Sequence, residues 1–113
     1  MEHCIKGTHG WQVYGETAKA LAEVEAKAID KLVFGMDVTD PATAAVLPEP
    51  ADEIELVGLV SNICVVSNAV VLQSKYPEAT IIVDASCTDS FDKSLHEKVL
   101  DVLSSFQVTV INR

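Results

Sequence analysis

A chain of 113 residues, 49% of them hydrophobic, is long enough for one domain with a core and too apolar to be disordered. Seventeen acidic residues against eight basic ones give a formal charge of −9, which repels phosphate backbones and anionic headgroups and argues against nucleic-acid and membrane-surface functions. The longest apolar stretch, Ile63 to Leu72, is interrupted by Ser67 and Asn68 and falls short of the ~20 residues of a membrane span. An acidic start without an apolar leader region, and three cysteines (Cys4, Cys64, Cys87) without C-x-x-C spacing, fit a protein of the reducing cytoplasm.

In chain order, a loop containing Gly7 and Gly10 precedes a segment from Trp11 to Ala28 whose Ala, Glu, Lys and Leu content predicts a helix, with Trp11 and Tyr14 packed on it. Ala28 to Phe34 reads as a short strand containing Lys31, ended by Gly35. Residues 36–52 hold Pro41, Pro48 and Pro50 and are mostly loop, with one short helix from Pro41 to Leu47 capped by Asp40. Glu53 to Leu59 alternates as a strand, Asn62 to Tyr76 is a helix stopped by Pro77, and Ala79 to Asp84 is an apolar strand. Leu95, Val99, Leu103 and Phe106 recur at helical spacing between Asp92 and Phe106, and Gln107 to Ile111 closes as a strand. Strands alternating with helices predict an α/β domain, residues 1–113, with a parallel sheet covered on both faces.

Ligands of such sheets bind beyond the carboxyl ends of the strands. Cys64 falls there, at the passage from strand to helix, where unpaired N–H groups and the helix macrodipole favour an anionic thiol. That makes Cys64 a candidate nucleophile, although a cysteine at the start of an apolar helix is also an ordinary packing residue. Lys31 is hard to place in an apolar strand unless it serves a site, since a buried ammonium needs a partner; the plain alternative is that it snorkels to water. His9 and His96 read as solvated loop and exposed helix residues, and Cys87 as a small packing residue near the rim.

Three segments carry a resemblance: His3-Cys-Ile-Lys-Gly-Thr8-His-Gly, Lys31-Leu-Val-Phe-Gly35, and Gly58-Leu-Val-Ser-Asn-Ile-Cys64-Val followed by Val83-Asp-Ala-Ser-Cys87. In order and spacing they resemble the isochorismatase-like superfamily of cysteine hydrolases, which includes nicotinamidases. The resemblance implies a three-layer αβα fold and a thioester mechanism on a small carboxamide, with Cys64 as nucleophile and Lys31 beside it. It implies a cis peptide between Leu59 and Val60 that aims the N–H groups of Val60 and Cys64 at the carbonyl oxygen as an oxyanion hole. Phe34 is expected to line the substrate pocket. His3 matches a position that helps hold a divalent metal, zinc or iron, in a complete protein of this kind, although a catalytic zinc site needs about three protein ligands.

The chain departs from the pattern where relatives carry a first strand with Asp-x-x-x-Asp-Phe and a second strand with further Asp and His. The aspartate that serves those enzymes as base has no counterpart, and nothing lets Asp30 or Asp37 stand in for it. In the strand order 3-2-1-4-5-6 the two missing strands lie between the Lys31 strand and the Cys64 strand. The expectation is therefore an N-terminally truncated domain with an unsatisfied sheet edge, impaired in catalysis and prone to form homo-oligomers. Two other readings remain: a non-catalytic fragment completed by a partner or an upstream segment, and an isochorismatase-type hydrolase, against which a cysteine at position 64 counts. A nucleotide-binding fold lacks its Gly-rich phosphate loop.

Overall fold

The computed structural model describes residues 2–113. After a 3-10 turn at His9–Trp11, the elements are helix α1 (Gly15–Glu23), helix α2 (Pro41–Val46), strand β1 (Glu53–Leu59), a π-helical turn (Ser61–Val65), helix α3 (Val66–Lys75), strand β2 (Thr80–Asp89), helix α4 (Lys93–Ser105) and strand β3 (Thr109–Ile111). The sheet is parallel in the order β1-β2-β3. The α/β class with a parallel sheet is thus as the alternation predicts.

Local chemistry sets the element ends. The Asp40 carboxylate accepts the Thr43 N–H at 3.1 Å and Pro41 occupies the first helical turn, so α2 starts where its cap lies. Asp92 accepts the N–H groups of Ser94 (2.9 Å) and Leu95 (3.1 Å) to start α4. Tyr76 and Pro77 end α3.

One core holds α3, α4 and the sheet together, and α1 contributes no buried residue to it. Val65, Ala69, Leu72 and Tyr76 from the α3 side, Ile81 and Val83 of β2, Val99, Leu100 and Leu103 of α4, and Val108 form a single buried cluster. The register pairs Ile54 with Ile81 and Leu56 with Val83, so these four side chains share the face on which α3 and α4 pack. Of the three expected layers, the described residues supply the sheet and this helical layer; on the other face of β1, Glu53, Glu55 and Val57 are exposed.

Three predicted elements differ. The helix expected over residues 11–28 is confined to Gly15–Glu23, because Glu25 takes a positive φ of 51° and ends it, and Trp11 and Tyr14 are exposed rather than packed. The strand expected over Ala28–Phe34 is absent: residues 28–31 have no regular structure and residues 32–35 are bends, with Leu32, Val33 and Phe34 exposed. The described sheet consists of β1, β2 and β3 alone, and this segment bonds to neither of its open edges, so it has no ladder to hold it extended. β2, in contrast, runs five residues beyond the expected Asp84, to Asp89. The register is irregular between Leu56 and Gly58 of β1, which pair with Val83 and Thr88 of β2, so β2 carries the extra residues of a bulge there.

Candidate active site

β1 ends at Leu59, the Leu59–Val60 peptide is cis, and the chain turns at once into the π-helical Ser61–Val65 segment. The N–H groups of Ile63 and Val65 both donate to the Val60 carbonyl at 3.1 Å, which closes the turn tightly. Cys64 sits in this turn, half-buried, whereas Cys4 and Cys87 are exposed. The exposure of Cys87 corrects its reading as a packing residue.

Lys31 reaches the same point from the bent segment. Its Nζ lies 3.6 Å from the Cys64 Sγ and donates to the Val33 carbonyl at 2.9 Å. The two groups face a cleft of about 220 Å³ lined by Lys31, Met36, Leu56, Leu59, Cys64 and Asn68, at the carboxyl end of β1. Lys31 is the one cation among the residues that line the cleft, whose other walls are largely apolar.

Asn68, one helical turn beyond Cys64, joins the two parts. Its Nδ2 donates to the carbonyls of Cys64 (2.9 Å) and Phe34 (3.2 Å), and its Oδ1 accepts the Met36 N–H at 2.8 Å. Gly35 lies so close to α3 that a Cβ there would meet Val71 Cγ2 at 3.2 Å. The segment carrying the amine is thus laid against the helix that follows the thiol without being a strand. The sequence signal for Asn68 was its polarity inside the apolar run from Ile63 to Leu72.

The remaining predicted residues are placed as follows. The Phe34 side chain is 65% exposed and does not line this cleft, so only its carbonyl serves the site. Asp30 forms an ion pair with Lys6, and the Asp37 carboxylate accepts from the Thr39 hydroxyl and N–H, which holds it below the usual aspartate range. Neither is bonded to Lys31 or Cys64. His3 is exposed, and among the described residues no group of three His, Cys, Asp or Glu side chains could hold a metal ion, so the residues present do not fit the metal that the resemblance implies.

On the other side of the turn stand residues whose roles went unread. Ser61 is completely buried and its Oγ lies 2.9 Å from Nδ1 of His96, which is half-buried on α4 rather than an exposed helix residue. Ser90 Oγ donates to Asn62 Oδ1 at 2.6 Å. Asp89 is bound by Lys93, with the Ser90 N–H as a further donor, and these hold its carboxyl below the ordinary range.

The fold recurs in solved structures. The chain superposes on nicotinamidase/pyrazinamidase PncA from Bacillus subtilis with a TM-score of 0.78 at 22% identity, over 97% of this chain and 62% of that one. The fold is the isochorismatase-like fold of the nicotinamidases. The nicotinamidase of Staphylococcus aureus superposes with a TM-score of 0.77 at 25% identity, covering 96% of this chain and 70% of that one. For the pyrazinamidase/nicotinamidase of Streptococcus mutans the values are 0.74, 24%, 94% and 60%. This chain therefore spans about 62% of the length of the Bacillus nicotinamidase it matches. No protein-family model and no curated protein sequence matches it. Among the described residues, no helix is long and apolar enough to cross a membrane.

Proposed function

We propose that this chain carries the nucleophile half of a cysteine-dependent hydrolase acting on a small carboxamide of the nicotinamide type. One observation carries the reading: the Lys31 amine lies 3.6 Å from the Cys64 sulfur in a cleft at the carboxyl end of β1. In the proposed reaction the Cys64 sulfur attacks the carboxamide carbon, and the N–H groups of Val60 and Cys64 hold the oxygen that becomes negative. The tetrahedral intermediate expels ammonia, which takes up the proton released from the thiol, and leaves a thioester. Water then attacks the thioester carbon, the acid departs and the thiol is restored. Lys31 stabilises the negative charge that passes from sulfur to oxygen.

A group that moves the proton between thiol and leaving nitrogen is missing from the cleft, since no described carboxylate is bonded to Lys31 or Cys64. Loss of a general acid–base typically costs ~10²–10⁴ in rate, so the chain alone turns over slowly. The test is thiol alkylation with iodoacetamide followed by peptide mapping. Cys64 is expected to react at least several-fold faster than exposed Cys87 despite its lower exposure, and Cys64→Ser to abolish residual ammonia release from nicotinamide. Equal reactivity of the two thiols, with ammonia release unaffected by C64S, would refute the reading.

A second reading has its own support. Leu32, Val33 and Phe34 beside the site and Val57 and Leu59 on β1 are all more than half exposed, which favours a fragment whose fold is completed by another polypeptide or by association of copies. In that case activity appears only in the completed assembly, and sedimentation of the isolated chain gives species larger than the monomer.

A further inference from the structure

The turn that carries Cys64 is held from its far side by the β2–α4 junction. Two consecutive residues are tied to it: Ser61 through His96 Nδ1 at 2.9 Å, and Asn62 through Ser90 Oγ at 2.6 Å. Ser90 Oγ in turn accepts the N–H of Asp92, the residue that caps α4 and accepts the His96 N–H through its carbonyl. The junction is therefore one hydrogen-bonded unit, and α4 is anchored in the core through Val99, Leu100 and Leu103.

Of the two ties, Ser61–His96 is the one that cannot be released into water. Ser61 is 0% exposed, and a buried hydroxyl that loses its partner keeps the full penalty of desolvation. Ser61 also lies directly between Val60, whose carbonyl closes the turn, and the residues that present the thiol. Holding its side chain fixes the backbone from 60 to 64, and with it the direction of the Val60 and Cys64 N–H groups and of the sulfur.

We propose that His96 is the positioning residue of the nucleophile turn, acting through the Ser61 hydroxyl. The proposal deepens the hydrolase reading and rests on it for its chemical meaning, while the clamp itself can be tested without turnover. Either neutral tautomer of the imidazole satisfies the bond, because the hydroxyl can donate to Nδ1 or accept from it.

The experiment compares the full chain with His96→Leu, His96→Asn, His96→Gln and Leu103→Val by native-state amide exchange and by the ratio of Cys64 to Cys87 alkylation. An Asn side chain can place a polar atom near the position of Nδ1, whereas Gln carries its amide one bond further. H96L is expected to speed exchange at the Ile63 and Val65 amides about tenfold or more and to lower the alkylation ratio several-fold. H96N restores both and H96Q does not; L103V lowers the melting temperature through the core and leaves both readouts alone. Unchanged exchange in H96L, equal rescue by H96Q, or the same effects in L103V would each overturn the proposal. If Cys64 of the unaltered chain reacts no faster than Cys87, the hydrolase reading fails by itself and amide exchange alone judges the clamp.

Discussion

Asn68→Ala removes the link between the amine-bearing segment and the helix behind the thiol. Three hydrogen bonds disappear, to Met36 N–H and to the carbonyls of Phe34 and Cys64. Each is partly exposed or half-buried and neutral, so a net worth near the lower half of the usual range gives about 2 kcal/mol for the set. Residues 31–36 lie in no helix or strand, so this loss falls on local opening of the segment rather than on the whole fold. The Met36 amide should then exchange about 30-fold faster than in the unaltered chain, since 1.4 kcal/mol is tenfold. A chemical readout follows from the same geometry. With the amine 3.6 Å from the sulfur at a solvent-accessible site, Lys31→Met should slow Cys64 alkylation roughly fivefold and Lys31→Arg much less, with the difference shrinking as salt is added. In the N68A background Lys31→Met should have almost no effect, because the amine is no longer held at the sulfur. An undiminished Lys31 effect in N68A, or an unchanged Met36 exchange rate, would show that something else holds the segment.

Core and cap changes should register as thermal shifts measured by circular dichroism. Leu103→Ala, at a completely buried position, should cost about 3 kcal/mol and lower the melting temperature by roughly 10–15 °C. Asp92→Ala leaves the Ser94 and Leu95 N–H groups unpaired and should cost about 1 kcal/mol, or about 4 °C. The carboxyls of Asp37, Asp84 and Asp89 are held below the ordinary aspartate range, by the Thr39 hydroxyl, the Ser86 hydroxyl and Lys93 in turn. A carboxyl with a depressed folded pKa stabilises the fold above its unfolded value, and that contribution is lost as pH falls through the folded one. The melting temperature should therefore hold steady between pH 7 and about 5 and fall below about pH 4, with Asp84→Asn flattening the acid limb. A melting temperature that rises on acidification would contradict this.

Elements whose signals were local could be read directly. The Asp40-Pro41 pair specifies its own helix start, Pro77 its own stop, and the alternation of Glu53 to Leu59 its own strand. The core-facing spacing of Val99 and Leu103 likewise recurs in the buried cluster. Where the outcome depended on a partner, the local pattern misled. Ala28 to Phe34 has strand-like composition, but a strand exists only if another lies beside it, and β1 leaves that edge unpaired. At the site, the Lys31–Cys64 approach could be anticipated from family-like motifs. The Asn68–Met36 and Ser61–His96 bonds could not, because each joins residues more than thirty positions apart and neither Asn68 nor His96 lies in one of those motifs.

The bare backbone at Gly35 fixes more than a loop. Val71 Cγ2 stands 3.2 Å from where the first carbon of any larger side chain would go, so that carbon would press on it. Bulk at position 71 therefore acts as a steric gauge for how near the bend from Lys31 to Met36 can settle. A larger side chain at 71 would push that bend away from α3, and with it an amine that now lies 3.6 Å from a sulfur 33 positions along the chain.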